Sequence, residues 1–204
     1  MCKKVMFLVS LVAVLSLAAA ANATVVTNGG FESGVGVAAT GWTQNQFAPG
    51  TTLQRVAESP HSGDYSMKYV ISWTSDGGPK AELMQTTAVG SVPGSNLVDL
   101  SFWYKGALGT SEVAQANIKW LNAAGTEIGG TAWWNFTPTG NYQQFSKTGL
   151  SGPALTSRAK VTIQMVGGAM LQTGTMYADD VVLVPEPMTL ALLGLGGLFL
   201  RRRR

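Results

Sequence analysis

Val98-Asp99-Leu100-Ser101-Phe102-Trp103-Tyr104-Lys105 alternates apolar and mainly polar residues along its whole length. Successive side chains of a strand point to opposite faces. Read as a strand, the stretch turns Val98, Leu100, Phe102 and Tyr104 one way and Asp99, Ser101, Trp103 and Lys105 the other. One face that is apolar and one that tolerates water is what an antiparallel sheet needs when only one side is covered.

The same pattern recurs on both sides of this stretch. Met67, Tyr69, Ile71 and Trp73 alternate with Lys68, Val70 and Ser72. Ala116, Ile118 and Trp120 alternate with Asn117 and Lys119, and Ala159, Val161, Ile163 and Met165 with Lys160, Thr162 and Gln164. No long segment between Thr24 and Val184 has a helical period. Turn clusters separate the runs: Ser75-Asp76-Gly77-Gly78-Pro79, Val92-Pro93-Gly94-Ser95, Asn122-Ala123-Ala124-Gly125, Pro138-Thr139-Gly140-Asn141 and Ser151-Gly152-Pro153. The spacing predicts about nine or ten strands. Two facing antiparallel sheets bury that many half-apolar strands, so the expected fold is all-β, a jelly-roll β-sandwich.

The chain has 204 residues, of which 12% are charged, about half the usual ~25% of globular domains. Its formal net charge is +3, but six of its fourteen basic residues sit at the ends, Lys3, Lys4 and Arg201 to Arg204. Between Thr24 and Pro187, eight basic residues face eleven acidic ones, a net of −3. That balance excludes a nucleic-acid footprint.

Both ends read as addresses. Lys3 and Lys4 precede an apolar run from Val5 to Ala21, and Ala21-Asn22-Ala23 offers small residues to signal peptidase. Residues 1–23 are expected to be a signal peptide cleaved after Ala23. Cys2, the only cysteine, leaves with it. A mature chain without cysteine has neither disulfides nor a thiol nucleophile, and core burial alone must hold it. At the other end, thirteen uncharged residues from Met188 to Leu200 follow Val184-Pro185-Glu186-Pro187, and four arginines close the chain. A short hydrophobic helix of that length reaches about 20 Å, so the arginines must snorkel for it to lodge in a bilayer.

Pro185-Glu186-Pro187, the short apolar span and the terminal Arg cluster resemble the PEP-CTERM sorting signal of Gram-negative bacteria. The resemblance covers residues 185–204. It implies transient inner-membrane anchoring through this segment, processing by an exosortase, and delivery to the cell surface or an exopolysaccharide and biofilm matrix. Between the two ends, residues 24–184 form the body.

Asn28-Gly29-Gly30-Phe31-Glu32 with Gly41-Trp42 resembles the opening of galactose-binding-like carbohydrate-binding modules. His61 to Lys68, Ser101 to Lys105, Ile118 to Thr126 and Tyr177-Ala178-Asp179-Asp180-Val181 resemble later pieces of that family in the same order. The resemblance implies a structural Ca²⁺ held by Glu32, Asp179 and main-chain oxygens around Gly63 and Tyr65. Hard oxygen donors suit that ion, and paired acids in an otherwise apolar strand are costly without a partner.

Catalytic constellations are not legible. His61 is the only histidine and sits in a turn sequence, and no Gly-x-Ser-x-Gly elbow accompanies any serine. Nothing singles out two of the carboxylates as a glycosidase pair. Aromatic residues give the better lead, because sugar C–H faces stack on exposed rings while polar side chains take the hydroxyls. Trp103 and Trp133 fall on polar sides of their strands, and together with Asn117, Gln85 and Gln164 they are expected to line a concave sheet face. Trp42, Trp73 and Trp120 are expected in the core. The sequence thus points to a non-catalytic, secreted protein that binds or organises polysaccharide. A matrix protein making only protein–protein contacts is the competing class, and a hydrolase ranks third.

Overall fold

The computed structural model describes residues 24–72, 78–94, 97–167 and 173–185. These residues form thirteen strands and no helix. In chain order they are β1 (Gly34–Val35), β2 (Ala38–Ala39), β3 (Thr43–Phe47), β4 (Thr51–Val56), β5 (Ser66–Ser72), β6 (Lys80–Thr86), β7 (Leu97–Ala107), β8 (Val113–Leu121), β9 (Glu127–Gly130), β10 (Trp134–Phe136), β11 (Gln143–Ser151), β12 (Arg158–Val166) and β13 (Thr173–Pro185). The surplus over the expected nine or ten comes from β1, β2, β9 and β10, which at two to four residues are too short to show an alternation. The expected signal peptide, Trp73 and the tail from Glu186 onward lie outside the described residues. β13 carries its sheet through Pro185, one residue past the body expected from sequence.

Two antiparallel sheets make the sandwich. One has the order β10-β8-β12-β6-β3, with β9 also on β8, and the other the order β11-β7-β13-β5-β4. β1 and β2 pair as a separate ribbon. The stretch from Val98 to Lys105 is the heart of β7, and its inward residues Val98, Leu100, Phe102 and Tyr104 are all buried. Leu53, Met67, Tyr69, Ile71, Met176 and Leu183 join them from the same sheet. Leu83, Ala116, Ile118, Trp120, Ile163 and Met165 face them from the other. Each large side chain so buried stabilises the fold by about 1.5–3 kcal/mol before entropy is set against it. Phe102 stacks on Phe145 with centroids 4.7 Å apart and meets Phe136 edge-on at 5.4 Å, closing one end of the core.

The first and last described segments of the body meet. Val25 donates its amide to Leu183 O at 2.8 Å, and Val181 donates to Gly29 O at 2.9 Å. Gly29 admits no other residue, because a Cβ there would collide with the Val181 carbonyl. Asp179 still pairs with Trp103, and a bulge in β13 between Asp179 and Val182 takes Asp180 out of the regular ladder with β7.

Candidate functional site

Each sheet has a polar outer face, and the two differ in how far their polar groups are already paired. On the five-stranded sheet the polarity gathers at a corner built from residues 28–32, 61–65 and 179–180. Asn28 ties its own bend, its Oδ1 accepting the Ser33 amide at 2.9 Å and its Nδ2 donating to Thr40 O at 2.9 Å. The Glu32 carboxylate accepts the amides of Asp64 and Tyr65 at 3.1 and 3.2 Å. Gly63 lies between with φ +62°, and a side chain there would run into that carboxylate. Asp179 holds the other end of the same turn, accepting the amides of His61 at 2.8 Å and Ser62 at 3.3 Å. Its second oxygen accepts the Asp180 amide at 2.7 Å. Asp180, at φ +50°, takes His61 Nδ1 and Ser62 Oγ, both at 2.7 Å.

Asp179 is wholly buried. Desolvation pushes its carboxyl up to about 6 despite the three amides that favour the charged form, and neighbouring Asp180 adds to the rise. The nearest basic side chains are engaged elsewhere. Arg55 donates to the carbonyls of Phe31 and Glu32 and lies 3.2 Å from the centroid of the Tyr65 ring. The corner therefore holds Glu32, Asp64, Asp179 and Asp180 against Arg55 and His61. The corner is acidic, as a hard cation such as Ca²⁺ requires, but its carboxylate oxygens already accept main-chain amides. The sequence-expected set of Glu32, Asp179, Gly63 and Tyr65 comes together here, but through N–H donors rather than through carbonyls. Among the described residues no three His, Cys, Asp or Glu side chains group to hold a metal. An ion here would have to displace the amides of residues 61–65 from Glu32 and Asp179.

Trp103 belongs to this closed region. Its ring stacks on His61 with centroids 4.1 Å apart and planes 12° from parallel, and Tyr142 meets the same imidazole edge-on at 5.0 Å. Tyr142 also donates to Ser59 O at 2.6 Å.

The six-stranded sheet is organised differently. Antiparallel register sets Asn135 beside Gln115, Gln115 beside Gln164, Gln164 beside Glu82, and Glu82 beside Asn45. Amide and carboxylate side chains thus form one row across β10, β8, β12, β6 and β3. Four interstrand steps give it a length of about 19 Å. Its members are linked in part. Gln115 Nε2 donates to Asn135 Oδ1 at 2.9 Å, and Gln164 Nε2 donates to Gln115 Oε1 at 2.8 Å. Asn45 Nδ2 and Lys80 Nζ both reach Glu82 at 3.3 Å. Two residues along each strand, a second row sets Asn117 beside Thr162, Thr162 beside Met84, and Met84 beside Thr43. Trp133, 40% exposed, immediately precedes β10.

These rows are not closed. Asn117, Thr162 and Gln164 are 3%, 2% and 5% exposed. Asn117 Oδ1 and Gln164 Oε1 are nevertheless buried acceptors without a hydrogen-bond donor. An unpaired buried polar group costs about 1–3 kcal/mol. Both oxygens lie beneath the surface, so a water or a ligand hydroxyl could supply the missing donors only where the neighbouring side chains shift to admit it.

Of the five residues expected on one glycan-binding face, Asn117 and Gln164 share the outer side of the six-stranded sheet, and Trp133 immediately precedes its strand β10. Trp103 lies on the opposite sheet, and Gln85 points inward. The Gln85 amide accepts Thr27 N at 2.7 Å and donates to Thr27 O and Gly41 O at 2.9 and 3.1 Å, stapling the first described residues to β6. Its apolar-side position in β6, between Leu83 and Thr87, was the available signal. Gln115, Asn135, Glu82 and Asn45 went unrecognised, because only cross-strand register lines them up.

No protein-family model and no curated protein matches the chain. Solved structures do. An enzymatically active domain of bacteriophage CBA120 tailspike protein 4 is similar over 79% of this chain, with TM-score 0.59 and 21% identity, but this chain spans only 21% of its length. The module TmCBM61, solved with β-1,4-galactotriose, is similar over 80% of this chain and 99% of its own, with TM-score 0.57 and 18% identity. The CBM22-1 xylan-binding domain of Paenibacillus barcinonensis Xyn10C is similar over 81% of this chain and 96% of its own, with TM-score 0.50 and 15% identity. At these identities the likeness establishes the β-sandwich fold.

Proposed function

We propose that this chain is a non-catalytic glycan-binding domain, and that the outer face of its six-stranded sheet is the binding face. One observation carries the reading: a sheet face with cross-strand rows of polar side chains in which the buried oxygens of Asn117 and Gln164 lack donors. Sugar hydroxyls are donors and acceptors at once and suit such a row. The similar modules solved with or named for β-1,4-galactotriose and xylan support a glycan over other hydroxylated ligands. Affinity electrophoresis through gels cast with galactan or xylan tests it. Retardation of the mature protein, lost on Asn117→Ala with Gln164→Ala, is expected. Unretarded migration in every polysaccharide would instead favour a matrix protein that contacts only proteins.

A Ca²⁺ pinning the 61–65 turn between Glu32 and Asp179 belongs to the same proposal, as does export. Signal peptidase is proposed to release the chain after Ala23, and an exosortase to process it at Pro185-Glu186-Pro187, delivering it to the surface or polysaccharide matrix of a Gram-negative cell. Mass spectrometry of exported protein is expected to find the segment from Met188 to Arg204 gone. An intact Arg204 in mature material would remove the sorting step.

A further inference from the structure

The described residues are not evenly charged. On the six-stranded outer face and its β9 edge lie Lys80, Lys119, Arg158 and Lys160 against Glu82 and Glu127, a net of +2. Everything else described carries Arg55, Lys68, Lys105 and Lys147 against seven acids, a net of −3. The mildly acidic body read from composition is therefore two surfaces of opposite sign.

The basic residues of that face are also placed at a cost. Lys119 of β8 and Lys160 of β12 are direct register partners on the outer side, and like charges opposite one another destabilise a sheet. Lys119 is offset by Glu127 at 3.0 Å, while Lys160 makes no ion pair among the described residues. Arg158, two residues before Lys160 on the same side of β12, has a buried Nε with no acceptor. At the far side Lys80 and Glu82 are paired at 3.3 Å and cancel. The unbalanced positive charge thus lies at one end of the face, beyond the row of Asn117 and Thr162. A strand rise of about 3.4 Å per residue puts Lys119 and Lys160 about 7 Å, and Arg158 about 14 Å, from that row.

We infer that the glycan this face takes is a carboxylate-bearing one, its hydroxyls meeting the amide row and its acid groups meeting Lys119, Lys160 and Arg158. This rests on the glycan-binding reading and names its ligand class. A carboxylate between Lys119 and Lys160 removes their repulsion, and it accepts in a plane that suits the Arg158 guanidinium. The segregation of charge makes binding to this face salt-sensitive.

The test uses the mature protein in affinity gels containing polygalacturonate, the same polymer fully methyl-esterified, or dextran sulfate. Esterification removes charge and keeps the chain. Retardation by polygalacturonate is expected to exceed that by the ester and to fall with added salt. Lys160→Gln and Lys119→Gln are each expected to weaken polygalacturonate binding about two- to fivefold and leave binding to the ester unchanged. Both lysines lie on the outer face, and their removal relieves repulsion, so folding survives. Equal retardation by acid and ester overturns the inference and leaves the glycan-binding reading standing. Dextran sulfate binding as strongly as polygalacturonate overturns it as well, by showing a mere polyanion effect. Retardation by none of the polymers defeats both.

Discussion

The outer faces of the two sheets hold similar side chains in opposite states. At the corner of the five-stranded sheet, Glu32, Asp179 and Asp180 spend their oxygens on the amides and side chains of residues 61–65. On the six-stranded sheet, Asn117 and Gln164 keep buried oxygens that nothing in the described chain uses. Buried polar groups that are fully paired hold a structure together, and those left half-paired wait for a partner. Polarity alone therefore does not mark a binding face. The accounting of donors and acceptors does.

The largest effect expected from this contrast is on stability. Asp179→Ala strips acceptors from the amides of His61, Ser62 and Asp180 and is expected to cost about 3 kcal/mol or more. Gln164→Ala removes an oxygen without a donor together with one hydrogen bond to Gln115, and is expected to cost about 1 kcal/mol. Urea denaturation midpoints of the two variants give the comparison directly. Equal losses would erase the distinction between a closed face and an open one.

A second effect comes from pH and cation together. In metal-free protein, burial lifts Asp179 to about 6 from an unfolded 3.8. The folded state then binds this proton more readily than the unfolded one, so stability rises as pH falls through 6 toward 4, by up to about 3 kcal/mol. Burial raises Glu112 too and works in the same direction. Glu58, lowered by Lys68 and Tyr177, opposes it as pH drops through its range. A bound Ca²⁺ would hold Asp179 ionised and cancel the gain. It would add about 2.7 kcal/mol at a hundredfold excess over its dissociation constant. Melting curves at pH 7 and 5, with chelator and with Ca²⁺, separate the cases. A melt indifferent to Ca²⁺ in protein first stripped of metal would remove the ion from the corner.

Much of the sandwich was legible in the sequence, and the reason is local. Alternation within β5, β7, β8 and β12 is a property of consecutive residues, and each of those strands buries the side that alternation named. The corner was legible through a resemblance at its three segments, although the donors that fill it are amides that no side-chain pattern announces. The open row was half legible. Asn117 and Gln164 stood out as polar members of alternating strands. The alignment of Gln164 with Gln115, Asn135, Glu82 and Asn45, and of Asn117 with Thr162 in the row beside it, depends on how β10, β8, β12, β6 and β3 slide against one another. Trp103 misled because an outward aromatic on a strand does not say which sheet it faces from, or that His61 will lie flat upon it.

The smallest of the expected effects distinguishes the two tryptophans. Trp133→Ala should weaken glycan binding by about 1–2 kcal/mol, on the scale of a base stacked on an aromatic ring, with folding little changed. Trp103→Ala should leave binding intact and loosen the 61–65 turn by a fraction of that. Titration calorimetry and thermal melts on both variants check the pair, and an inverted outcome would move the binding face to the five-stranded sheet.

The binding face itself is most directly seen by nuclear magnetic resonance of the nitrogen-labelled mature protein during titration with a soluble oligosaccharide that it retards on. The side-chain amide signals of Gln115, Asn117, Asn135 and Gln164 are expected to shift together, while the Gln85 amide and the Trp103 indole stay in place. Shifts at the Trp103 indole with the four amides unmoved would contradict the assignment of the six-stranded face.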